Sequence, residues 1–340
     1  MKIRTPLLLL AFITVFSGSL LSGMLDDFIK KNGKDIPDFK KQIPDFKNEL
    51  DKFKKEIENM QSEIISKGMK FRVDMNDQMK KQISDITGLI VPPKKKKEEP
   101  ENSDKAKKKP EEPEKKIADD LRKNCDPKAQ SFDWRKYGIV SPIRQQGTCG
   151  SCYMFSAMAS YESAYSLLYK KNIDMSEQQF LDCKNIGQCN GGWYGTVFDK
   201  MQNSGGIEEV LYPYQGKTSS CQVKSDDKYF TIESGNVGAY LAIASVDEIK
   251  EGLCKHGVLS SAVYATRMFT AYSGGVFDEH AKVNGVNHAV NIVGWDDTKK
   301  SWLLRNSWGE NWGEKGYMWI EYGSNNVGTG TTWVSPREYK

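Results

Sequence analysis

The chain is poor in histidine, in long apolar runs and in glycosylation signals. Only three histidines occur among 340 residues, so any imidazole chemistry falls to His256, His280 or His288. One apolar run exists, Leu7 to Phe16, shorter than the roughly 20 residues a membrane span needs. The run is thus short for a membrane anchor, the competing reading, and no stable span is expected. No Asn-X-Ser/Thr sequon is present, so nothing points to N-glycosylation. Net charge is +4, but the charge is unevenly spread, so the average says little about partners.

What is present begins with Lys2 and Arg4, followed by the apolar run and then Ser17, Ser19, Ser22 and Gly23. That layout predicts a cleavable signal peptide over residues 1–22 and a destination in the secretory pathway, lysosomal, vacuolar or extracellular. Seven cysteines fit an oxidising compartment, and their odd number leaves at least one unpaired in a monomer.

Residues 23–90 read as a helical segment. Apolar residues at Ile36, Phe39, Ile43, Phe46, Leu50, Phe53, Ile57, Met60 and Ile64 alternate spacings of three and four. This is a heptad stripe. It fits either a two-chain coiled coil or an amphipathic helix packed on its own chain. Phenylalanine at the seam favours the second and a monomer. Pro37 and Pro44 should delay regular helix until about Asp45, and Gly68 should end it. Phe71-Arg72-Val73-Asp74-Met75 alternates like a short strand, and Met79, Ile83 and Ile86 predict one more short helix. Residues 91–125 are a Lys/Glu/Pro linker with too little apolar content to fold. Its basic runs are interrupted by acidic residues, and the signal peptide routes it out of the cytosol, so nucleic acid is not an expected partner. Residues 126–340 form the catalytic-sized unit.

Within that unit, Gln146-Gly147-Thr148-Cys149-Gly150-Ser151-Cys152-Tyr153-Met154 leads into a helical run. A cysteine in the first turn of a helix, behind a glycine-containing turn, is a thiol placed to ionise. His256 ends a predicted helix and reads as a capping or surface residue. His280 lies in a polar loop, and His288 opens an apolar strand that would hold an imidazole rigidly. The pattern Cys-Gly-Ser-Cys-Tyr, with His288 and Asn306 downstream, satisfies a local signature of papain-type peptidases. Further motifs follow in order: Phe132-Asp133-Trp134-Arg135, Ser176-Glu177-Gln178-Gln179, Cys189-Asn190-Gly191-Gly192, Asn287-His288-Ala289-Val290 and Asn306-Ser307-Trp308-Gly309.

From about Phe132 to Trp333 the chain resembles the papain family (C1-type) of cysteine peptidases. The resemblance implies an α+β fold, a helical domain plus a β-barrel-like domain, with Cys152 as nucleophile and His288 as its ion-pair partner. It implies that Asn306 orients the imidazole, that Trp308 shields that bond, and that Gln146 with the Cys152 N–H forms an oxyanion hole. Gly191 and Gly192 would bind the substrate backbone, and Trp193, Ala262 and Ala289 would line an apolar pocket. Disulfides Cys149–Cys189 and Cys183–Cys221 are implied as well, each worth about 3–4 kcal/mol in the chain-entropy account. Cys125 and Cys254 are left either paired or free. No metal or organic cofactor is implied.

Three positions depart from the usual pattern. Tyr153 stands where tryptophan is usual and Met154 where a small residue is common. Asn287 stands where several relatives have aspartate and should act on the pH profile more than on competence. The expectation is an endopeptidase made as a zymogen that acts on peptide or protein substrates, with its own N-terminal segment as inhibitor. Two other readings stay open: an exopeptidase or transpeptidase with the same residues, and an inactive scaffold that works through the heptad segment.

Overall fold

The computed structural model describes residues 39–93, 120–226 and 229–337. The expected signal peptide, the first heptad residue and most of the charged linker lie outside these residues. In chain order the elements are α1 (Phe39–Lys67), β1 (Phe71–Val73) and α2 (Ile83–Ile86). Then come β2 (Ser131–Asp133), α3 (Cys152–Tyr169), α4 (Glu177–Cys183), β3 (Gly187–Gln188), β4 (Gly191–Gly192) and α5 (Tyr194–Ser204). The last part holds β5 (Thr231–Asn236), α6 (Val246–His256), β6 (Leu259–Val263), α7 (Arg267–Ala271) and β7 (Tyr272–Phe277). It closes with β8 (His288–Asp296), β9 (Ser301–Arg305), β10 (Tyr317–Glu321) and β11 (Thr329–Pro336).

The heptad stripe is used within the chain. Leu50, Ile57, Met60 and Ile64 are buried, and the last three join the sheet-side core together with Phe71, Val73, Met79 and Ile86. Over Ile57, Met60 and Ile64 the seam is thus filled by the chain's own residues. Glu56 on the flank of α1 makes a two-pronged ion pair with Arg267, both contacts at 2.9 Å. The helix starts earlier than the prolines predict. Pro44 sits inside it, where it deprives only the carbonyl four residues back, close to the helix start. Its end is as read: Gly68 turns to φ +64, and Met69 N–H returns to the Ile64 carbonyl at 3.0 Å, a Schellman-type closure that a side chain would strain.

After that turn β1 adds to the edge of the main sheet, with Phe71 opposite Gly275 and Arg72 opposite Gly274 on β7. The expected single helix over Met79–Ile86 is instead two separate turns, a 3₁₀ turn at Asp77–Lys80 and α2. The sheet runs β1-β7-β10-β9-β8-β6-β11-β5, with β2 also on β8.

Helix α3 is buried along its whole length, as its apolar composition on every face requires. Its serines and Glu162 are exceptions, and two of the serines join it to the sheet. Ser156 Oγ donates to the Val290 carbonyl at 2.9 Å, and Asn291 Nδ2 donates to the Ser156 carbonyl at 2.8 Å. Ser160 and Ser260 share a 2.9 Å hydrogen bond. This polar seam joins two apolar clusters, one around the sheet and one around α3 and α5. Three disulfides form: Cys149–Cys189, Cys183–Cys221 and Cys125–Cys254. Residues 120–125, linker by composition, include a helical turn with Leu121 on the sheet-side core and a buried Cys125.

Candidate active site

Among the described residues Cys152 is the one free cysteine, and it is fully buried at the first position of α3. The chain reaches it through a tight turn. Ser151 N–H bonds the Cys149 carbonyl at 2.7 Å, and Gly150 N–H bonds the Cys189 carbonyl at 2.8 Å. The Cys149–Cys189 bridge thus holds the turn, and α3 points its positive end at the thiol.

His288 opens β8, in register with Val263 on β6. Its Nε2 lies 2.8 Å from Asn306 Oδ1. The same oxygen accepts from Ser307 N–H at 2.8 Å, which identifies it as the amide oxygen. His288 Nε2 must therefore donate, and neutral His288 keeps Nδ1 proton-free. Nδ1 is buried with no hydrogen-bond partner, so it is the nitrogen left to take a proton. Trp308 stacks on the ring at 4.6 Å and 25°.

Gln146 sits at the same centre. Its backbone N–H bonds the Ser307 carbonyl at 2.9 Å, and its Oε1 accepts from Ser307 Oγ at 2.6 Å. With the oxygen so occupied, the Nε2 donors face Cys149 O at 2.9 Å and Ile86 O at 3.2 Å.

That second acceptor belongs to the N-terminal segment, which crosses the site. Trp308 Nε1 also donates to Ile86 O, at 3.0 Å. Gly192 bonds both ways, N–H to Gly88 O at 2.8 Å and carbonyl to Ile90 N–H at 2.9 Å. Gly191 makes no such bond but lies directly against Gly88. Leu89 N–H bonds the Asn287 carbonyl at 3.1 Å, and Leu89 runs parallel to Gly192. Its side chain is buried in the cluster that holds Trp193, Ala262 and Ala289. The two alanines are cross-strand partners, and Trp193 stacks on Tyr194 at 4.2 Å.

Burial under this cover sets the protonation states. It pushes the Cys152 thiol up to about 11, against a smaller downward pull from backbone groups of Ala289 and Gly88. It pushes His288 down to about 4, against the bond to Asn306. Both shifts favour a neutral pair over thiolate and imidazolium.

The remaining histidines stand apart. His280 is exposed. His256 is not the surface residue its position predicts; it stacks on Trp333 at 4.0 Å and 11°, and burial lowers it to about 3. Tyr153 is buried with its ring against Gly192 and its hydroxyl 3.3 Å from Gln188 O. Met154 packs in the same cluster. Asn287 pins the backbone, donating through its amide to Ala265 O at 3.0 Å and accepting from Ala265 N–H at 2.7 Å. An aspartate could not make the first bond.

Residues 128–337 match the model of the papain family cysteine proteases. The chain belongs to the papain family. Within it, this papain-family chain is similar to the thiol protease aleurain of Arabidopsis thaliana, 37% identical over 212 residues that cover 59% of this chain and 58% of that protein. It is similar also to pro-cathepsin H of Medicago truncatula, 38% identical over 58% of this chain and 59% of that protein. The chain thus spans less than two thirds of the length of these relatives. Among solved structures, the Carica candamarcensis cysteine protease bound to E-64 superposes with a TM-score of 0.55 at 30% identity, covering 61% of this chain and 98% of that one. The recombinant stem bromelain precursor reaches a TM-score of 0.69 at 22% identity, over 92% of this chain and 98% of that one, and shares the fold. The papain-like α+β fold is therefore established, helical N-terminal region included.

Proposed function

We propose that the chain is a cysteine endopeptidase of the secretory pathway, lysosomal, vacuolar or extracellular, made as a zymogen and acting on peptide or protein substrates. Cys152 is the nucleophile. His288 Nδ1 takes the thiol proton and later returns one to the leaving amine. Asn306 fixes the ring, and Trp308 keeps water off that bond. The Gln146 amide and the Cys152 N–H stabilise the oxyanion, each such donor being worth on the order of a hundredfold in rate. Gly192, beside Gly191, binds the substrate backbone. Trp193, Ala262 and Ala289 form an apolar pocket for the side chain two residues before the cut, with Leu89 as its occupant in the closed chain. No metal or organic group has a role in this chemistry.

The observation that carries the reading is the Cys152–His288–Asn306–Gln146 set beneath residues 86–90. The covering segment engages donors of the site. Ile86 O uses the Gln146 amide, and Leu89 runs parallel to Gly192. The test uses full-length protein activated by proteolysis of the linker. It should cleave internally in peptides blocked at both ends, and Cys152→Ala should abolish this. Release of terminal residues alone, from unblocked peptides, would assign an exopeptidase. Activity surviving in Cys152→Ala would end the nucleophile assignment.

A further inference from the structure

Tyr214, on the loop after the 3₁₀ turn Glu209–Leu211, places its hydroxyl between the two stretches of backbone that carry the proposed oxyanion donors. That oxygen is 2.9 Å from the main-chain oxygen of Gln146 and 2.7 Å from Ser151 Oγ. A carbonyl oxygen cannot donate, so the phenol gives its single proton to Gln146, and Ser151 must donate to the phenol. The competing acceptor for Ser151, the Cys149 carbonyl, is 3.4 Å away. The result is a directed chain from Ser151 O–H through Tyr214 O–H to Gln146 C=O. One end fixes the residue whose side-chain amide is the first donor. The other fixes the residue whose peptide link to Cys152 carries the second.

The ring is itself held. It meets Phe155 edge-on at 4.8 Å and 80°, and the Tyr214 N–H bonds Glu209 Oε1 at 2.7 Å. Burial keeps the phenol well above its ordinary pKa, so the donated proton persists at working pH.

We propose that Tyr214 is a positioning residue for oxyanion stabilisation, aligning the Gln146 amide and the Cys152 N–H through its bonds to Gln146 O and Ser151 Oγ. This rests on the oxyanion role given above to Gln146. Ser307 holds Gln146 from the opposite side, so losing the phenol should cost less than losing a donor outright, about tenfold against a hundredfold or more.

Tyr214→Phe keeps the ring and deletes the hydroxyl. In the activated full-length protein kcat should fall about tenfold, with KM within about twofold. The inhibition constant of a peptide aldehyde, whose adduct carries the oxyanion, should rise by a similar factor. Alkylation of Cys152 by iodoacetamide, which needs no oxyanion, should keep its rate. With Gln146→Ala already present, Tyr214→Phe should change kcat by about threefold or less. An unchanged kcat, a parallel fall in alkylation, or a full tenfold loss in the Gln146→Ala background overturns the proposal. A Gln146→Ala protein with normal kcat would instead remove the oxyanion reading beneath it. Should Tyr214→Phe not fold, Ser151→Ala cuts the far end of the chain. A loss of about threefold with unchanged alkylation supports the proposal, and no loss overturns it.

Discussion

Replacing Gly88 by alanine should open the closed chain. A Cβ built on Gly88 would lie 2.5 Å from the carbonyl carbon and 2.6 Å from the Cα of Gly150, and nearer still to its carbonyl oxygen. All three are backbone atoms, and Gly150 cannot retreat. Its N–H is bonded to Cys189 O at 2.8 Å, and the Cys149–Cys189 bridge closes the turn behind it. The covering strand must therefore lift by roughly an ångström to restore ordinary contacts. The bonds around Gly88 would stretch together: Gly192 N–H to Gly88 O, Leu89 N–H to Asn287 O, Ile90 N–H to Gly192 O, and the pair reaching Ile86 O. Losing two or three of them, at about 1 kcal/mol each, costs about 2–3 kcal/mol of closure. That is about 30- to 150-fold in the closed-to-open ratio. The assay is the rate at which an E-64-type epoxide labels Cys152 in the intact, unprocessed chain. Gly88→Ala should be labelled faster by about that factor, with an unchanged melting temperature for the peptidase unit. Labelling at the wild-type rate would refute the view that the tight passage of Gly88 past Gly150 holds the cover in place.

Three more outcomes follow from the same structure. Because burial lowers His288 to about 4, opening takes up a proton between its ordinary value and that one, so closure should weaken as pH falls from about 6.5 towards 4. In a linker-nicked Cys152→Ser protein, the N-terminal piece should bind about 50-fold more weakly at pH 4.5 than at pH 7, and a pH-independent affinity would count against this. Burial raises Glu162 to about 7, so the folded state holds a proton that the unfolded state releases, and stability should fall as pH rises from about 4.5 to 7. Glu162→Gln should flatten that slope in urea titrations across the window; an unaltered slope would place the titration elsewhere. Cys125→Ser opens a bridge spanning 129 residues and should lower unfolding free energy by about 2–5 kcal/mol, read from the urea midpoint.

What could be read from the sequence was what repeats or sits close together along the chain. The heptad stripe announced α1 and the burial of Ile57, Met60 and Ile64. The glycine-bounded Cys149–Cys152 turn announced the thiol at a helix start. The alternation in Phe71–Met75 announced β1, though not its partner β7. The covering strand was invisible, because Ile86 to Ile90 carries no periodicity and binds through backbone atoms. Tyr214 escaped for a different reason. Its link to Gln146 joins residues 68 apart, and nothing in Tyr212-Pro213-Tyr214 marks the second tyrosine as the one that reaches it. The hydrogen bonds of Asn287 to Ala265 were not legible, since nothing in the sequence places Ala265 within reach of its amide. The pairing of Cys125 with Cys254 was undecidable, because spacing alone does not bring an N-terminal leader beside α6.

In the proposed function, peptide hydrolysis runs through the Cys152 thiol. Its most direct test is mass spectrometry of the activated protein after an E-64-type epoxide, combined with residual activity. One adduct, on Cys152, is expected, with hydrolysis falling in proportion to labelling. Full modification of Cys152 with hydrolysis intact would contradict it.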